Sequence, residues 1–154
     1  MPVPHVSVLL PTFNALATLP RAVASLRAQT FHDWELLVVN DGSTDGTAAW
    51  LRTEAALEPR LKVISQPHAG IVAALNGGLA EARGEFVARM DADDESLPTR
   101  LAEQVAWLDA HPDTGVVDKT TGKYVNSPES PVYKKGDVVF GLYQARQAIR
   151  AADN

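Results

Sequence analysis

The sequence predicts an α/β fold, a mostly parallel sheet with helices on both faces, and three observations carry that reading. Apolar runs alternate with helix-spaced segments from residue 6 to about 117, the pattern of strands joined by helical crossovers. The run Phe86-Val-Ala-Arg-Met90 ends in a cluster of carboxylates, Asp91, Asp93 and Asp94, and ligands of open α/β sheets lie beyond the carboxyl ends of strands. A second apolar run, Trp34-Glu-Leu-Leu-Val-Val39, ends in the turn-rich Asn40-Asp-Gly-Ser-Thr-Asp45.

Val6 to Leu10 is a β-rich run stopped by Pro11. Leu19 to Ala28 has helical spacing, with Thr18 as N-cap and Pro20 in the first turn. Residues 34–39 form the second strand, and Thr44 or Asp45 caps a helix running to about Leu57. Leu61 to Ile64 is the third strand and Ile71 to Ala82 the third helix, closed by Arg83-Gly84. Residues 85–90 are the fourth strand. Pro98 to Ala110 reads as the fourth helix, stopped by His111-Pro112, and Val116-Val117 opens another strand. Right-handed crossovers are the default for such a series.

After residue 118 the chain changes character. Residues 119–131 are polar and turn-prone, with Tyr124-Val125 as a short strand. Val138 to about Ala152 reads as an amphipathic helix, with Val138, Leu142, Ala145 and Ile149 on one face and Arg146 and Arg150 on the other. The acidic excess sits in residues 1–118, and residues 119–154 carry a small basic excess.

The 154 residues, 45% of them hydrophobic, suffice for one domain with a core. No apolar stretch reaches the length of a membrane span, and the first residues lack a basic-then-apolar leader, so the expectation is a cytoplasmic protein without a membrane span. The absence of cysteine rules out disulfides and thiolate metal sites. There is no GxGxxG fingerprint to support an ordinary NAD site.

In an alternating α/β sheet the loops after successive strands converge on one rim. Four arrive there: Pro11-Thr-Phe-Asn14, Asn40-Asp-Gly-Ser43, Gln66-Pro-His-Ala-Gly70 and Asp91-Ala-Asp-Asp94. Crowded carboxylates need a positive partner, and a divalent cation that also carries a phosphate meets the need. Asp41 can accept hydrogen bonds from a base or ribose, and Gly42 permits close backbone approach. Asn76, on the helix after the third loop, either supports the strands or touches the ligand. The bland alternatives are a capped strand end for the three aspartates, a common turn for Asp41-Gly42, a loop histidine for His68, and packing roles for Trp34, Trp50 and Trp107.

Residues 6–117 resemble the donor-binding half of a family 2 glycosyltransferase with the Rossmann-like GT-A fold. The resemblance rests on residues 6–14 (Val-Ser-Val-Leu-Leu-Pro-Thr-Phe-Asn), 39–47 (Val-Asn-Asp-Gly-Ser-Thr-Asp-Gly-Thr), 73–79 (Ala-Ala-Leu-Asn-Gly-Gly-Leu), 82–94 and 97–101 (Leu-Pro-Thr-Arg-Leu), in order and at family spacing. It implies transfer of a sugar from a nucleotide diphosphate, usually UDP, to an acceptor hydroxyl. By the same resemblance Asp41 contacts the uracil or ribose, Thr12 lines the base pocket, and Asp91 faces the ribose or the metal. Asp93 ligates Mn²⁺ or Mg²⁺ through the diphosphate, and Asn14 and Asn76 complete the nucleotide set. The family often has two aspartates before the Gly-Ser of the second loop; here the first is Asn40. The general base of inverting members comes from a later half of the domain. Glu129 is an available carboxylate here, but nothing places it.

Residues 123–136 and 140–149 are similar to bacterial DNA primase of the DnaG type, just before its acidic metal-binding domain. Together the two resemblances imply a chimera joined near residues 117–119: a nucleotide-sugar-binding half (1–118) and a primase-like segment (119–154) packed on it as one compact domain. The implied function is nucleotide-sugar and metal binding with little or no transferase activity. The alternatives are a folded chimera without biochemical function, and weak nucleic-acid binding through the tail, which the acidic whole disfavours. Truncation would leave an unpaired sheet edge for the tail to cover, or for a homodimer to cover.

Overall fold

The computed structural model describes residues 3–110, 116–117, 124–125 and 142–144. Strands β1 (Val6–Thr12), β2 (Trp34–Asp41), β3 (Leu61–Gln66) and β4 (Phe86–Arg89) alternate with helices α1 (Leu19–Arg27), α2 (Thr47–Leu57), α3 (Ile71–Glu81) and α4 (Arg100–Ala110). Short strands β5 (Val116–Val117), β6 (Tyr124–Val125) and β7 (Leu142–Gln144) follow. The sheet order is β3-β2-β1-β4-β7-β5-β6. The first four strands are parallel: Val6 lies opposite Trp34 on one side and Phe86 on the other, and Leu36 lies opposite Leu61. The predicted α/β architecture is therefore present.

The two faces of this sheet are filled differently. Val6, Val8 and Leu10 of β1 and Leu36 and Val38 of β2 pack with Leu19, Val23 and Leu26 of α1, Leu51 of α2 and Leu101, Val105 and Leu108 of α4. The opposite face, Leu9, Leu37 and Val87, meets Leu75 and Leu79 of α3. Helix α3 lies close to the sheet because Gly78 has no side chain; a Cβ there would meet Val39 Cγ2 at 3.0 Å.

Two helices start later than the sequence suggested. Helix α2 begins at Thr47, behind Gly46 at φ 94°. Helix α4 begins at Arg100 rather than Pro98, because residues 97–98 are committed elsewhere. The Pro98 carbonyl accepts from the backbone N–H of Thr30 at 2.8 Å, and the Leu97 carbonyl accepts from Gln29 Nε2 at 2.7 Å.

The predicted helix over 138–152 is corrected within the described residues. Leu142–Gln144 is a strand, antiparallel to β4, with Phe86 opposite Gln144 and Ala88 opposite Leu142. The rest of that span lies outside the described residues. Local helical periodicity yields here to the backbone groups on the outer side of β4, which need a ladder partner. The edge expected to be unpaired at β4 is therefore occupied by the tail, and β5 and β6 extend it further.

At the entry end of the strands a polar knot ties three segments together, β1, β2 and the turn at 83–84. Ser7 Oγ donates to Glu35 Oε1 at 2.7 Å and accepts from the Arg83 and Gly84 backbone N–H at 3.1 and 2.8 Å. The Arg83 guanidinium donates to Glu35 Oε2 through Nε at 3.0 Å and Nη2 at 2.6 Å. Gly84 fits only because it lacks a Cβ, which would sit 2.5 Å from the Ser7 nitrogen. Glu35→Ala leaves the Ser7 hydroxyl and the Arg83 guanidinium without their acceptor, a loss of about 2–3 kcal/mol. Urea unfolding would show it as a lower midpoint at unchanged slope, with Glu35→Gln losing less.

Candidate functional site

The strand order reverses between β1 and β4: the chain runs outward through β2 and β3, then returns to the other side of β1. A crevice at the carboxyl ends of the strands follows from such a reversal, and residues 12–14 and 89–94 flank it.

The first two loops are stitched to each other. Asn14, at φ 48°, accepts the Thr44 backbone N–H on Oδ1 at 2.7 Å, and its own N–H donates to Ser43 Oγ at 2.9 Å. Asp45 accepts from Leu16 N–H at 3.1 Å and from Thr47 Oγ1 at 2.6 Å. These bonds hold Asp45 below the usual carboxylate range, Thr47 Oγ1 contributing most. Asn40 Oδ1 accepts the Ser43 N–H at 3.1 Å, so the turn after β2 closes on its own strand.

Asp41 ends β2 and is 3% exposed. Its Oδ1 accepts from Gln66 Nε2 at 2.7 Å and Ala69 N–H at 2.9 Å; its Oδ2 accepts from Gly70 N–H at 2.9 Å and lies 2.9 Å from His68 Nδ1. Burial alone would raise its pKa, but the bonds from Ala69, Gln66 and Gly70, joined by the charge of His68 when that ring is protonated, outweigh it and hold the carboxyl below its ordinary range. Gly42, at φ +76°, lets the third loop settle on the second; a Cβ there would meet the His68 nitrogen at 2.7 Å. The His68 ring stacks on Phe13, centroids 4.1 Å apart and planes 28° apart. Three loops thus form one connected rim, from Phe13 through His68 to Asp41.

Thr12 is buried in line with Asn40, and its hydroxyl has no hydrogen-bond partner among the described residues. Asp91 is half-buried and accepts from Arg89 Nη2 at 2.7 Å. Arg100 reaches across from α4, donating to the Arg89 carbonyl at 3.0 Å and to Ser96 Oγ at 2.9 Å. Burial lowers the pKa of Arg100, and the charge of Asp94 opposes that shift. Asp93 is exposed, with no hydrogen bond or ion pair among the described residues. Asn76 stands exposed on α3, with no hydrogen bond to the other five candidates.

No three His, Asp or Glu side chains converge into a metal cage among the described residues. A free Asp93 beside a half-buried Asp91 fits a cation that takes one or two carboxylates and completes its shell with phosphate oxygens and water.

Sequence reasoning missed Phe13, Arg89 and the loop-clamping role of Asp41. A signal existed for Arg89, a charged residue inside an otherwise apolar strand. Phe13 and the Asp41 clamp depend on which loops meet, which spacing along the chain does not specify.

The rim, the switch point and the carboxylate loop define an open α/β domain with its candidate site at the carboxyl ends of the strands, and comparison with known proteins narrows the class. The model of glycosyl transferase family 2 matches residues 7–151. The chain belongs to that family, and the match continues past residue 118. EpsE of Bacillus subtilis (strain 168) is 39% identical over 110 residues, 70% of this chain and 40% of EpsE. The mannosyltransferase PcManGT from Pyrobaculum calidifontis, solved with GDP-Man and Mn²⁺, superposes with a TM-score of 0.69 at 33% identity, covering 75% of this chain and 35% of that one. S. aureus TarS 1–349, solved with UDP-GlcNAc, shares the fold at a TM-score of 0.76 and 24% identity, covering 96% of this chain and 47% of that one. The chain thus spans well under two thirds of each.

Acid should loosen this domain. Glu35 and Glu58 are held below 4.5, and Asp41 and Asp45 below 3.8. Depressed folded pKa values stabilise fully above those reference values, and the contribution disappears as pH falls through the folded ones. The urea midpoint should fall steadily between about pH 5 and pH 3, and Asp41→Asn should flatten that slope while lowering the midpoint at neutral pH.

Proposed function

We propose that this chain binds a nucleotide-diphosphate sugar, with uridine as the nucleoside, together with Mn²⁺ or Mg²⁺ at the carboxyl rim of its sheet. We propose further that it transfers little or no sugar by itself. The observation that carries the reading is the reversal of strand order between β1 and β4 in a family 2 chain, with the 91–94 loop on one side of it and the connected 12–14, 41–45 and 66–70 loops on the other. Neighbours solved with UDP-GlcNAc, and with GDP-Man and Mn²⁺, support it.

In this reading the exposed Phe13 offers its aromatic face to the base, and His68, stacked on the same ring, presents its edge. Asn14 and Asp41 hold the loops that shape the pocket, and Thr12 lines its floor. Asp91, steadied by Arg89, faces the ribose hydroxyls or the cation. Asp93 is the carboxylate left for the cation, whose charge, when bound, offsets the charge gathering on the departing diphosphate. Asn76 keeps only a peripheral part. No residue here is assigned as general base, which is the reason for expecting weak transfer.

We assign residues 1–118 to the nucleotide-sugar half, and residues 119–154, primase-like in sequence, to a segment packed on it as one compact domain. The pairing of β7 with β4 and the family match through residue 151 support a sheet-completing part for the segment rather than a nucleic-acid site.

Calorimetry with UDP and Mn²⁺ tests the proposal. The expected result is saturable binding that Asp93→Ala weakens about tenfold or more, as removal of a direct metal ligand should. No heat from the wild-type chain, or an unchanged affinity in Asp93→Ala, would overturn it.

A further inference from the structure

The carboxylate of Asp41 is already spent. Both oxygens are engaged by the 66–70 loop, and the side chain is sealed from solvent. A ligand on the rim meets instead what Asp41 holds in place, the His68 ring, whose side chain is 57% exposed. Its Nδ1 lies 2.9 Å from Asp41 Oδ2 and 3.1 Å from the Asp41 carbonyl oxygen. A carbonyl oxygen and an ionised carboxylate are both acceptors only, so the hydrogen must sit on Nδ1. The lowered pKa of Asp41 agrees with the ionised form. In the neutral ring Nε2 is then an acceptor, and it has no hydrogen-bond partner among the described residues. Stacking on Phe13 fixes the plane in which that lone pair points.

We propose that His68 is the base-selecting residue of this site, that its Nε2 accepts a ring N–H of the nucleotide base, and that Asp41 acts as a positioning residue that sets the tautomer. The inference rests on the nucleotide reading above and adds which bases the site admits. Uracil and guanine present a ring N–H beside a carbonyl. Cytosine and adenine present a bare ring nitrogen at the equivalent edge, and two lone pairs would then face each other. Selection by such a mismatch is the ordinary way a polar group discriminates between isosteric ligands. Asp41→Asn changes the partner of Nδ1 from an obligate acceptor to an amide that can also donate, so it frees the tautomer.

The test compares UDP with CDP, identical in shape and charge, each with Mn²⁺, by titration calorimetry at about pH 8. The wild-type chain should favour UDP about tenfold, the worth of one half-exposed hydrogen bond. His68→Phe keeps a ring on Phe13 and removes the acceptor; it should bring the ratio close to one even though loss of the Nδ1 bond to Asp41 lowers the melting temperature. Asp41→Asn should also shrink the ratio, and His68→Gln, which restores an acceptor oxygen, should recover part of it. A wild-type preference that survives intact in His68→Phe overturns the proposal and leaves nucleotide binding standing, as does a wild-type ratio near one. Absence of binding by either nucleotide overturns the nucleotide reading and this inference with it.

Discussion

A carboxylate taken out of water at the end of a strand must find its hydrogen bonds inside the protein, and Asp41 finds all of them in one loop. That requirement organises the rest. It draws residues 66–70 down onto the end of β2, requires glycine at 42, and leaves His68 against Phe13. Removing the partners of such a buried charge costs far more than the pair contributes when intact, so the loop has one low-energy position rather than several.

The same strand carries a second carboxylate at its other end. Glu35 and Asp41 both lie on the β2 face that α3 covers, as do Leu37 and Val39 between them. Asp41 holds the chain as it enters α3 at Gly70, and Glu35 holds it as it leaves at Arg83. Helix α3 is thus pinned at both ends by charges on one strand and pressed against its middle through Gly78. Its apolar contacts, Leu75 and Leu79, are few beside those of the α1–α4 face, so these two polar anchors fix where it lies. The helix start that borders the site and the polar knot at the far end are parts of one arrangement.

Much of the fold was legible in the sequence. Strands over 6–10, 34–39, 61–64 and 85–90 alternate with helix-spaced segments, and each is present with small shifts at its ends. The shifts arise where tertiary bonds claim a terminal residue, as Thr30 and Gln29 claim the carbonyls of 98 and 97. The helix read over 138–152 failed at Leu142–Gln144 because periodicity is a local signal, and an open ladder on β4 is not. The site was legible as a set of loops, since topology alone brings strand ends to one rim. Its inner wiring was not. Nothing in the spacing of Asp41, His68 and Phe13 says that the first would hold the second against the third, and Arg89 stood out only as a charge in an apolar strand.

The central claim is that four loops distant in sequence gather round one cation and one diphosphate. The most direct measurement is amide NMR of the chain with UDP while Mn²⁺ is added, since the ion broadens signals within a limited radius. The expected result is joint loss of signals from residues 12–14, 41–43, 68–70 and 91–94, with Ser7 and Gly84 at the far end of the sheet left sharp. Broadening confined to one loop, or centred on Ser7 and Gly84, would contradict it.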